Sequence, residues 1–71
     1  SGGVEVTAVE PQSIAAQSGI RAGDILVSID HREVTSASEL SEIVAALPDD
    51  RAIPLRLFRD GRSLFVALRM D

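Results

Sequence analysis

Any catalysis by this 71-residue chain would have to come from very few side chains. It has one histidine, His31, and no cysteine, lysine, tyrosine or tryptophan. His31 follows Asp30, and serines are plentiful, so a nucleophile, a base and an orienting acid can be assembled on paper. No G-x-S-x-G segment supplies the sharp turn that exposes such a nucleophile, and a histidine between Asp30 and Arg32 reads as a solvated turn residue. Paired carboxylates occur at Asp49-Asp50 and at Glu39 with Glu42. The first pair follows Pro48 in a loop and the second lies on the outside of a helix, so solvation and the helix dipole account for them without acid–base work. One histidine and scattered acids make a poor metal site. The glycines of "GIRAGD" have neither the dinucleotide spacing nor a P-loop lysine. The expectation is no catalytic residue, no metal and no cofactor.

Whatever this chain does, its elements must do it by shape. Val4, Val6 and Ala8 alternate with polar residues and predict a strand. In "PQSIAAQSG", Ser13 can cap a helix of one to two turns, and Gly19 can take the left-handed conformation that closes it. A tight turn at Ala22-Gly23-Asp24 leads to a strand in which Ile25, Val27 and Ile29 line one face and Leu26 supports the other. Asp30 and His31 form the next turn, since both residue types tolerate positive φ, and Val34 returns to the core.

"SASELSEIVAALP" is the clearest segment. Ser36 and Glu39 fit a capping box, Leu40, Ile43, Val44 and Leu47 recur at helical spacing, and Pro48 ends the run. Ile53, Leu55 and Leu57, then Leu64, Val66, Leu68 and Met70, flank Asp60-Gly61, a two-residue hairpin signal. Pro54 lacks an N–H, which predicts an edge or a bulge there. The order is strand, short helix, strand, long helix, hairpin: a compact α+β domain rather than a doubly wound one.

Bulk properties narrow the function further. One domain of this size buries only about 60% of the surface its unfolded chain exposes, so the core is thin. A net charge of −4 without a basic run, and only two phenylalanines as aromatics, argue against a nucleic-acid surface. No apolar stretch approaches the ~20 residues that span a bilayer.

The run "GVEVTAVEPQSIAAQSGIRAGDILVSIDHREVTSASELSEIV" resembles a PDZ domain of bacterial type. It keeps Val6, Val9, Ser13, Ala15, Ala16, Gly19, Ile20, Gly23, Asp24, Ile25, Ile29 and Asp30 of that pattern. The likeness covers residues 3–70, with Ser1 and Gly2 set apart as a linker or cloning scar. It departs from the pattern where Ile14 replaces the usual proline and His31 the usual glycine. The Gly-containing apolar tetrapeptide that holds a peptide carboxylate in such domains is absent from these residues, so that loop is expected either outside them or degenerate. The closing segment is most like the final PDZ domain of an HtrA/Do-type (DegP) periplasmic serine protease.

The resemblance implies a PDZ-like antiparallel β-sandwich or partly open barrel with one short and one long helix. It also implies a non-catalytic, peptide-binding module of a periplasmic serine endopeptidase, which takes extended or C-terminal peptides of unfolded or envelope proteins by strand addition. The peptide-binding wall it implies is Leu40, Val44 and Leu47, with Leu47 nearest the terminal side chain. No nucleic acid, no membrane insertion, no cofactor and a homo-oligomeric parent are expected. The alternatives are the PDZ domain of a site-2 membrane metalloprotease, or a PDZ domain acting mainly in oligomer assembly.

Overall fold

The computed structural model describes residues 3–48 and 50–69, so expectations placed on Ser1, Gly2, Asp49, Met70 and Asp71 lie outside the described residues. The element order is β1 (Val4–Glu5), α1 (Ile14–Gln17), β2 (Ile25–Ile29), β3 (Arg32–Glu33), α2 (Ala37–Ala45), β4 (Ala52–Arg59) and β5 (Arg62–Arg69). All pairings are antiparallel, in the order β1-β2-β4-β5, with β3 against the second half of β2. The sheet stays open and does not close into a barrel, giving the α+β fold anticipated from the sequence.

The first strand is shorter than the alternation predicts. Only Val4 and Glu5 pair with β2, although Val6 continues the contact by donating its N–H to Asp24 O at 2.8 Å and accepting from Gly23 N–H at 2.7 Å. Ala8, expected inside, is exposed. Ser13 caps α1 by accepting the Ala16 N–H at 3.1 Å. Gly19 and Gly23 have φ of 94° and 98°, which side chains with a Cβ rarely adopt, so these two positions make the reversals on either side of Ile20 possible.

The inward face of β2 differs from the simple alternation. A register shift between Leu26 and Ser28 inserts one residue, so Leu26 and Ile29 both face the core, while Ile25 is 41% exposed and Val27 half-buried. Asp30 and His31 then turn the chain with φ of 52° and 67°, and Asp60-Gly61 repeats the same mirror-type turn at 55° and 79°. Pro54, expected at an edge or a bulge, sits in β4 between β2 and β5, and the register shift lies on β2 instead. It can do so because β2 ends opposite Leu55: Pro54 O accepts the Asp30 N–H at 2.8 Å, but the chain is already leaving the sheet and the missing proline donor disrupts no continuing ladder.

The core is formed by Ile20, Leu26, Ile29, Val34, Ile43, Ile53, Leu55, Leu57 and Leu68. Strand β4 supplies alternate residues to it, and β5 supplies Leu68 with the half-buried Leu64 and Val66 packed alongside, which fixes their register, since a one-residue slip would turn the apolar set outward.

Candidate functional site

Helix α2 is capped by Ser36, whose Oγ accepts the Glu39 N–H at 3.1 Å. The reciprocal half of the box is displaced by one residue: the Glu39 carboxylate accepts from the N–H of Thr35 at 2.8 Å and from its hydroxyl at 3.1 Å. The entry of the chain into the helix is thus tied down at two places, which sets the rotation of the helix about its axis. That rotation buries Ile43 and leaves Leu40, Val44 and Leu47 half-buried at the margin of the core. The helix itself ends at Ala45, and Leu47 is held one turn on, its N–H donating to Val44 O at 3.2 Å. Val4, Val6 and Val9, from β1 and the segment after it, border the same core and are also half-buried.

Two features of this margin are relevant to binding. An aliphatic stripe retains part of its surface for another apolar group. In addition, residues 4–9 make backbone bonds only toward β2 and the Gly23-Asp24 turn, so among the described residues their other edge has no backbone partner. Unpaired strand edges are templates for adding a strand.

A charged clamp holds the reversal between α1 and β2. Asp24 is 1% exposed, the one buried charged side chain among the described residues. Arg59 grips both its oxygens, Nε to Oδ1 and Nη2 to Oδ2, each at 2.8 Å. Arg59 Nη2 also donates to Gly19 O at 2.8 Å, and the Arg21 N–H donates to Asp24 Oδ2 at 2.8 Å. The Arg59 hydrogen bonds hold the Asp24 carboxyl below its ordinary value of 3.8, against the opposing effect of burial, and Asp24 in turn raises Arg59. This clamp was not foreseen from the sequence, because its partners are 35 residues apart and meet only when β4 lies beside β2.

The residues considered for chemistry are not brought together. His31 is exposed at the Asp30 turn, and the Asp30 carboxylate is engaged by Arg51 Nη2 at 3.0 and 3.1 Å. Glu39 serves the start of α2, and Glu42 is exposed. Of the pair at 49 and 50, Asp50 is exposed and Asp49 lies outside the described residues. Among the described residues no cluster of histidine and carboxylate groups is arranged for a metal ion.

Comparison with known proteins adds identity to this geometry. Residues 5–57 match the family model described as "PDZ domain". A "Probable periplasmic serine endoprotease DegP-like" of Halomonas elongata is 56% identical over 68 residues, and one of Brucella suis 40% over 71; this chain covers 14% of either protein's length. Among solved structures, the HtrA3 PDZ domain bound to a phage-derived ligand (FGRWV) superimposes with a TM-score of 0.84 at 30% identity, covering 97% of this chain and 60% of that one. The serine endoprotease of Yersinia pestis gives 0.87 at 33%, covering 94% of this chain and 25% of that one.

Proposed function

The chain belongs to the PDZ domain family, and from that membership we propose that it is the peptide-binding module of a DegP-like periplasmic serine endoprotease, without catalytic residues of its own. The observation that carries this reading is the half-buried stripe Leu40, Val44 and Leu47, at the margin of a core whose other border, residues 4–9, has a backbone edge without a partner among the described residues. An extended peptide gains main-chain hydrogen bonds from such an edge whatever its sequence. Selectivity then falls to the apolar stripe, with Leu47 nearest the terminal side chain and Leu40 farther along.

Burying one aliphatic peptide side chain contributes roughly 1.5–3 kcal/mol, and ordering the peptide opposes it, so affinity is weak. A weak site suffices when tethered. Linked to a protease, it raises the local concentration of unfolded clients beside the catalytic domain. The relatives' names place such an enzyme in the periplasm, and the same compartment is proposed here.

The test is a titration of the full-length protein with the pentapeptide FGRWV, the ligand of the HtrA3 PDZ domain. Val44→Glu puts a carboxylate where the apolar side chain would rest and is expected to weaken binding about tenfold or more, with the circular dichroism of the domain unchanged. An unaltered titration curve in a folded variant would remove α2 from the binding site.

A further inference from the structure

Strand β5 is the other end of the sheet. It pairs along all eight residues with β4, and among the described residues its backbone makes no bond on the far side. Half of its N–H and C=O groups therefore point away from the sheet. Two features make this edge unusual. Phe65 is 78% exposed at its centre, and a cavity lined by Gln17, Ser18, Ala67 and Arg69 lies between the end of α1 and the last part of β5. In addition, both ends of the strand carry arginines, Arg62 and Arg69, exposed and in no ion pair among the described residues, and no acid lies between them.

That charge pattern selects the occupant. Antiparallel pairing of two copies of β5 about its centre would set Arg62 directly opposite Arg69 twice, and like charges in that position destabilise a strand pair. A segment with carboxylates seven residues apart would meet one arginine at each end and place a β-branched side chain against Phe65. We propose that the β5 edge is a second peptide site, which adds an extended, internal segment with acidic ends and an apolar centre. Because it needs no chain terminus, it is independent of the groove reading above.

The test uses a fluorescent N-acetylated, C-amidated octapeptide, Glu-Thr-Val-Thr-Val-Thr-Val-Glu, and its twin with lysine at both ends, titrated by anisotropy into the full-length protein at low salt. The acidic peptide should bind roughly tenfold tighter than the basic one, lose affinity as salt rises, and resist displacement by excess FGRWV. The double variant Arg62→Glu/Arg69→Glu should reverse the preference. A reversal requires a folded site, so misfolding cannot imitate it. Equal binding of the two peptides, an unchanged preference in the double variant, displacement by FGRWV, or no binding up to about 1 mM would each overturn the second site.

Discussion

Among the described residues two aspartate–arginine pairs have similar length, Asp24–Arg59 at 2.8 Å and Asp30–Arg51 at 3.0 Å, and they do different work. In the first, the carboxylate is buried, gripped through both oxygens and bonded by the Arg21 N–H, while Arg59 also donates to Gly19 O, so the pair ties three segments together: the end of α1, the turn before β2 and the end of β4. In the second, one guanidinium nitrogen spans both oxygens of a partly exposed carboxylate, and the arginine side chain keeps 48% of its surface in solvent. Distance does not separate them. Burial and the number of additional hydrogen bonds do, because water reaches both carboxylate and guanidinium of the second pair, whereas in the first the Asp24 carboxylate is shielded and only Arg59 keeps some contact with solvent.

The sharpest way to break this comparison is Asp24→Asn. The amide keeps the shape of the side chain but loses the charge that holds Arg59. We expect unfolding free energy to fall by about 2–3 kcal/mol, below the usual range for a broken buried pair because Arg59 can still reach water. A denaturant midpoint shift equivalent to less than about 0.5 kcal/mol would place the clamp with the surface pairs. Acid titration separates the pairs by a smaller effect. Because the folded carboxyl is depressed, the contribution of Asp24 is complete above 3.8, its ordinary value, and is lost as pH falls from there through the lowered one. The stability gap between the wild-type chain and Asp24→Asn should therefore narrow below that pH and stay constant between pH 5 and 7. The smallest effect belongs to Arg51→Ala, expected to cost about 0.5 kcal/mol or less and to vanish in high salt. A larger loss, persisting in salt, would show that the second pair also anchors the fold.

Much of the fold was legible because it is written in local chemistry. Gly19 and Gly23 announce reversals that only glycine makes at low strain, Asp60-Gly61 announces a hairpin, and Ser36 with Glu39 announces the start of α2; each needs only near neighbours. The stripe on α2 was also visible as Leu40, Ile43, Val44 and Leu47, since helical phase is a local property. What escaped the reading depends on neighbours distant in sequence. Pro54 pointed to an edge or a bulge because nothing nearby in the sequence shows that its strand lies between two others, or that β2 ends where the missing N–H would be needed. Ile25 and Leu26 exchanged faces because the shift between Leu26 and Ser28 arises from pairing with β4. The capping box moved by one residue because the Glu39 side chain found Thr35 within reach instead of the Ser36 N–H.

By itself, then, the sequence determined the order of the elements apart from the short β3, the turn positions, the poverty of catalytic side chains and the family pattern carried by the Gly19–Asp24 spacing. Tertiary structure alone decided which of the apolar residues on α2 keep exposed surface, which strand edges stay unpaired and which arginine reaches Asp24. The physical reason is that turns and helix phase follow from dihedral preferences within a few residues. Burial, edge exposure and charge pairing depend on which surfaces meet when the sheet assembles.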